Sequence, residues 1–169
     1  WGIEAVATLY HWDLPEARQA VGGWAVRDTA SRFAEYAALM GSELEVDAWI
    51  THNEPWVVAF LGHAEGVKAP GIRDWPTALR ASHHLLLSHG WAVDALPGTP
   101  VGLTLNLAPV RSDDRDAGAR MDGYLNRWFL DPVFRGWYPE DMVEHYARRY
   151  GPLDFVRSGD LDVISKPID

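Results

Sequence analysis

Short apolar runs suited to β-strands alternate along this chain with longer stretches at helical spacing, a pattern that restricts it to α/β architecture, βα units around a parallel sheet. Three such units can be drawn. The first strand is predicted over about Ala5 to Tyr10; a loop with Gly22-Gly23-Trp24 follows, then a helix from about Thr29 to Leu44 with Asp28 as its N-cap. Within that helix Phe33, Tyr36, Ala37 and Met40 fall at the spacing of one buried face. The second strand is Val46 to Thr51, followed by an irregular loop through Gly66 to Gly71 and a helix from about Asp74 to Leu96. Pro76 is tolerated in the first turn of that helix, where its missing N–H breaks no bond, and Pro97-Gly98-Thr99-Pro100 ends it. The third strand is Val101 to Leu105, reaching Asn106. Beyond it Ala117, Met121, Tyr124, Leu125 and Trp128 keep helical spacing, Asp131-Pro132 and Tyr138-Pro139 break the chain, and a last helix spans about Glu140 to Tyr150.

No low-complexity tract, sequence repeat or linker divides the 169 residues, so residues 1–169 read as a single segment, and 47% hydrophobic content is enough for a sizeable core. Fifteen basic residues against 24 acidic ones give a formal charge of −9. That balance argues against nucleic acid or an anionic membrane surface as a partner and suits a neutral substrate. Cysteine is absent, which excludes a disulfide framework, a thiolate metal site and a cysteine nucleophile. No stretch approaches the roughly 18 apolar residues of a membrane span. His83, His84 and His89 share a predicted helix but lack the zinc pattern of paired histidines around a Glu, and read as packing or surface residues. Asp113, Asp114 and Asp116 lack the closing Glu of a calcium loop and read as a solvated acidic turn. Neither a metal nor a cofactor is expected.

The residues that carry chemistry gather where strands end. Thr51-His52-Asn53-Glu54-Pro55-Trp56 places a carboxyl group beside an amide at the tip of the second strand, and Tyr10-His11-Trp12-Asp13-Leu14-Pro15 gives the first strand a tip of the same form. Asn106 follows the third strand. In a βα barrel the site is assembled from such C-terminal strand ends. Cleavage of glycosides with retention uses two carboxyl groups about 5 to 5.5 Å apart, one protonating the leaving oxygen and one attacking the anomeric carbon. Glu54 is the candidate for the first role; a solvated loop carboxylate or ion-pair member is the alternative reading. Nine tryptophans are many for this length, and while core packing accounts for most, Trp12 and Trp56 stand at strand tips where indole faces suit pyranose rings.

These segments resemble glycoside hydrolase family 1, the retaining β-glucosidases. Thr51 to Trp56 is similar to the family's Thr-x-Asn-Glu-Pro signature, which implies that Glu54 is the acid/base and that Asn53 binds the sugar 2-hydroxyl. By the same resemblance His11 contacts glycone hydroxyls with Trp12 beside it, Trp56 borders the aglycone side, and Asn106 matches the fifth-strand Asn near the nucleophile and sugar. Gly62 to Gly71, Trp128 to Pro132 and Gly136 to Pro139 match loop and packing segments. The likeness runs in order along nearly the whole chain, from before the third family strand to before the sixth, and implies a partial (β/α)8 TIM barrel. The turn from Gly41 to Glu45 is shorter than usual, which touches the connection and not the chemistry.

The family nucleophile, a Glu in a Thr-Glu-Asn-Gly segment of the seventh strand, has no counterpart here, and a barrel typically needs about 250 residues. The resemblance therefore implies an internal portion of a β-glycoside hydrolase that needs the remainder of the barrel for a complete site and hydrolyses nothing alone. A non-catalytic carbohydrate-binding or partner-binding relic of the barrel is the alternative. A Schiff-base aldolase is disfavoured because the only lysines, Lys68 and Lys166, sit at no predicted strand tip. By resemblance, a cytoplasmic enzyme acting on a small β-glycoside is expected.

Overall fold

The computed structural model describes residues 2–169. Strands β1 (Val6–Tyr10), β2 (Ala48–Asn53) and β3 (Val101–Thr104) form one parallel sheet in the order β1-β2-β3. Parallel neighbours require each connection to cross back over the sheet. The first crossover carries the short helix α1 (Glu16–Gln19), a 3-10 turn (Gly23–Ala25) and α2 (Arg27–Glu43). The second carries a π-helix (Val57–Ala64) and α3 (Trp75–Ala95). After β3 come α4 (Arg115–Asp122), a π turn (Gly123–Arg127), α5 (Trp128–Arg135), α6 (Glu140–Tyr150) and α7 (Asp160–Ile164).

Helix α3 is the hub. Residues 81–90 are all buried, since α3 is enclosed by α2, the sheet, the π-helix and α7. Asp74 caps it by accepting from the Thr77 N–H at 2.8 Å, and Pro76 sits in its first turn as expected. Three histidines in this run find partners at once: His83 meets Asp160 at 2.8 Å and Tyr138 at 3.0 Å, His84 meets the Trp24 carbonyl at 2.9 Å, and His89 meets Thr51 at 2.8 Å. They are packing residues, none of them at the surface. Asp160 also receives both arms of Arg27, at 2.7 and 2.5 Å, and so fastens α7 to α2 and α3.

Several expectations need correction. Strand β2 begins at Ala48 and ends at Asn53, two residues later than predicted at each end. Helix α2 starts at Arg27 without a side-chain cap, so Asp28 lies inside the first turn, where it pairs with Arg18 at 2.8 Å and favours the helix dipole. Of the predicted buried face, Phe33 and Ala37 are buried and Met40 packs partly, but Tyr36 is 40% exposed. The acidic turn is a helix cap, with Asp114 accepting from the Asp116 and Ala117 N–H groups. Asp131-Pro132 breaks nothing. The α-helical pattern restarts at Trp128 after the π turn, Pro132 falls within α5, and the segment ends instead at Gly136, whose φ of 76° suits glycine.

Candidate active site

The three strand ends point to one side of the sheet, as parallel order demands. Tyr10 pairs with His52, and Asn53 pairs with Thr104, so the tips of β1, β2 and β3 lie next to one another. His11 is exposed one residue beyond β1, and its Nε2 lies 3.2 Å from Asn53 Nδ2. The structure thus brings together two residues that the sequence separates by 42 positions.

The peptide unit joining Asn53 to Glu54 is held from both sides. Its carbonyl accepts from Trp12 Nε1 at 2.9 Å, and its N–H donates to the Thr104 carbonyl at 2.9 Å. Strand ends on either flank therefore fix the orientation of this one peptide plane. Both Trp12 (φ 77°) and Glu54 (φ 48°) adopt the left-handed backbone, and they are the only non-glycine residues among those described to do so. Such conformations cost of order 1 to 3 kcal/mol and persist where surrounding structure over-determines them, typically at functional sites. Pro55 bars the right-handed helical region to Glu54 but by itself favours extended backbone, so the left-handed form is held by the contacts around it. The Val57 N–H donates to the Glu54 carbonyl at 2.9 Å, so the π-helix starts directly from the tip.

Glu54 is half-buried, and among the described residues no side chain hydrogen-bonds its carboxylate. Trp56 donates its indole N–H to the Tyr124 carbonyl at 3.1 Å, with the two rings 5.3 Å apart at 66°. Trp56 is half-buried there, two residues beyond Glu54. Asn106 is half-buried two residues beyond β3, and no hydrogen bond among the described residues joins it to Asn53 or Glu54. The loop that carries it is tied further on, where Asn126 exchanges hydrogen bonds with the Ala108 N–H (3.0 Å) and carbonyl (2.8 Å).

Sequence reasoning missed two features of this face. Lys68 lies 5.7 Å from the centre of the Trp12 ring, a cation over the indole in a loop read only as irregular. The pairing of β2 with β3 also slips between Ile50 and Asn53: three steps along β2 match the two from Gly102 to Thr104, the mark of a β-bulge just before the carboxyl residue. Two adjacent polar residues, Thr51 and His52, where alternation predicts one facing each way, were the available signal for it.

The model of glycosyl hydrolase family 1 matches residues 1–169. The chain belongs to glycosyl hydrolase family 1. It is 44% identical over 179 aligned residues to beta-glucosidase A of Acetivibrio thermocellus, with 99% of this chain and 40% of that protein covered. Thermostable beta-glucosidase B of Thermobispora bispora is 47% identical, with 99% of this chain and 36% of that protein covered. Among solved family 1 structures, the β-glucosidase of Exiguobacterium antarcticum B7 superposes with a TM-score of 0.94 at 48% identity, covering 99% of this chain and 40% of that one. The Thermotoga maritima enzyme in complex with isofagomine lactam gives 0.89 at 40% identity, with 99% and 40% covered. The chain spans about 40% of the length of these relatives, and its three βα units are part of a family 1 (β/α)8 barrel. Among the described residues, no helix is long and apolar enough to cross a membrane.

Proposed function

We propose that this chain supplies the acid/base part of a retaining β-glycosidase that hydrolyses terminal β-D-glycosides by double displacement, residues 1–169 forming one segment of the catalytic barrel. Glu54 protonates the leaving oxygen and then, as carboxylate, activates the water that releases the sugar. Asn53 holds the 2-hydroxyl, His11 and the ring of Trp12 take the glycone side, and Trp56 lines the aglycone side. Asn106 lies toward the nucleophile, a Glu supplied by a strand outside this chain. Retention needs that second carboxyl group about 5 to 5.5 Å from Glu54. The observation that carries this reading is the Asn53–Glu54 peptide held by Trp12 and Thr104 beside His11. Pre-set geometry of this kind is what a general acid needs to meet the leaving oxygen without reorganising. The substrate class is a small neutral glycoside, consistent with the acidic charge balance and the aromatic tips, and we place the activity in the cytoplasm.

The test is a chimera in which these residues replace the matching stretch of Thermotoga maritima beta-glucosidase A. It is expected to hydrolyse cellobiose, and Glu54→Gln is expected to lower kcat/KM for cellobiose by about 100- to 10,000-fold. With 2,4-dinitrophenyl β-glucoside, whose leaving group departs without a proton, kcat/KM should be nearly kept while kcat falls for want of a base. Azide, a nucleophile that needs no base, should restore kcat and give β-glucosyl azide. A folded chimera that binds cellobiose without turnover would favour the non-catalytic reading instead; full activity in Glu54→Gln would remove Glu54 from the mechanism.

A further inference from the structure

We infer that Ser88 and His89 of α3, acting through His52 and Thr51, are positioning residues for the acid/base: they hold the β2 bulge that aims Asn53 and Glu54. This rests on the reading of Glu54 above. In a regular strand successive side chains point to opposite faces, so two neighbours cannot both reach one helix. Here they do. Thr51 Oγ1 lies 2.8 Å from His89 Nδ1, and His52 Nε2 lies 2.8 Å from Ser88 Oγ. The extra residue between Ile50 and Asn53 is what permits it.

The polarity of the second bond follows from its surroundings. Ser88 Oγ donates to the Leu85 carbonyl at 2.8 Å, so it accepts from His52 Nε2–H, and the His52 tautomer is set. The His52 ring cannot swing away, because it stacks on Phe33 at 4.5 Å and meets the edges of Tyr10 and Trp24 at 5.5 and 5.4 Å. Thr51, His52, Ser88 and His89 are all 0% exposed, so none of them can touch a sugar. Their effect on chemistry passes through the backbone. A one-residue slip in pairing would carry Asn53 to the opposite face of the sheet, and the left-handed Glu54 would lose part of what enforces it. Burial also pulls both His52 and His89 below the usual imidazole value, so the pattern of donors is that of neutral rings near neutral pH.

The experiment compares His52→Phe, which keeps the stacking and removes the donor, with Ser88→Ala and with the double variant, all in the chimera. A displaced acid harms only substrates that need protonation. Asn53 shifts with it and loosens its hold on the 2-hydroxyl of either substrate, so both single variants are expected to lose roughly 10- to 100-fold in kcat/KM on cellobiose, as a small misplacement does, and at least about threefold less on 2,4-dinitrophenyl β-glucoside. The double variant should lose no more than the worse single one, because one bond joins the pair. Equal losses on both substrates, or no loss on either, would overturn the inference. Where His52→Phe fails to fold, Ser88→Cys keeps the volume, weakens the acceptor and carries the same comparison. Glu54→Gln is the reference: if it shows no dependence on leaving group the reading of Glu54 fails, whereas if it does and the His52 and Ser88 variants do not, only this inference fails.

Discussion

Mild acid should destabilise this fold, because its interior holds histidines neutral. His84 is 4% exposed and His89 is 0% exposed. Burial pulls both down from 6.5 to about 4, the hydrogen bond from His84 to the Trp24 carbonyl only partly opposing it. Once unfolded, each imidazole titrates near its ordinary value of about 6.5. Between those two values the unfolded chain binds more protons than the folded one, so stability increases with pH and is lost as pH falls below about 6.5. At pH 5 the loss relative to neutral pH is about 2 kcal/mol per histidine, or about 4 kcal/mol for the two. Domains typically have about 5 to 15 kcal/mol in total, so this is a large fraction. His52, His63 and His83 are shifted in the same direction, burial being the first cause in each, and add to it. The assay is urea unfolding of the chimera from pH 7.5 to 4.5, beside a His84→Gln/His89→Gln variant that removes the two groups and leaves the host's own titrations in place. Near pH 5.25 the two slopes should differ by about 1.8 protons, or about 2.5 kcal/mol per pH unit. Equal slopes, or imidazole NMR titrations centred near 6.5 in the folded protein, would refute the reasoning.

Removing the carboxylate in Asp160→Ala strands Arg27 and His83 inside the fold and should cost about 3 to 5 kcal/mol, read as a shift in the urea midpoint; a shift under about 1 kcal/mol would count against a buried ionic fastening. Burial alone would raise the Asp160 carboxyl, but the Arg27 fork, the Arg157 N–H and the His83 ring outweigh it and hold the group well below the usual carboxylate range. Its contribution is therefore complete above about pH 4 and is lost as pH falls through the folded value, a second acid limb that Asp160→Asn should abolish. At Gly90 an added Cβ would strike the Val163 carbonyl of α7, backbone that cannot step aside, so Gly90→Ala should cost about 1 to 3 kcal/mol by thermal melting while Gly98→Ala, in open space but at a φ of 83°, tests strain alone. The isolated 169-residue chain should aggregate and hydrolyse nothing: among the described residues no strand pairs with the outer edges of β1 and β3, Asp169 bonding only Val101 of β3, and Ile3 and Val6 are 83% and 57% exposed. A monodisperse chain that cleaves 2,4-dinitrophenyl β-glucoside would contradict this.

What the sequence revealed was whatever depends on periodicity and on local chemistry. The βα alternation and the limits of α3 and α6 follow from apolar spacing, proline and capping, and the structure holds them within a residue or two. What stayed hidden depends on contacts between distant residues. Asp28 looks like a cap because its side chain is of the right type, yet Arg18, ten positions away, claims it. The three histidines of α3 look unremarkable until α2, β2 and α7 close around them. The site shows the same division. His11, Asn53 and Glu54 are visible as polar groups at strand tips, but the adjacent polar pair Thr51-His52 is the one local hint of a bulge, and no local rule places a left-handed backbone at Glu54. Both are unfavourable for the segment by itself and become stable only when α3 supplies Ser88 and His89 from below while Trp12 and Thr104 grip the next peptide from either side. The backbone that carries the carboxyl group is thus set by β1, β2, β3 and α3 together, which is why the residue type at position 54 could be read from the sequence and its backbone conformation could not.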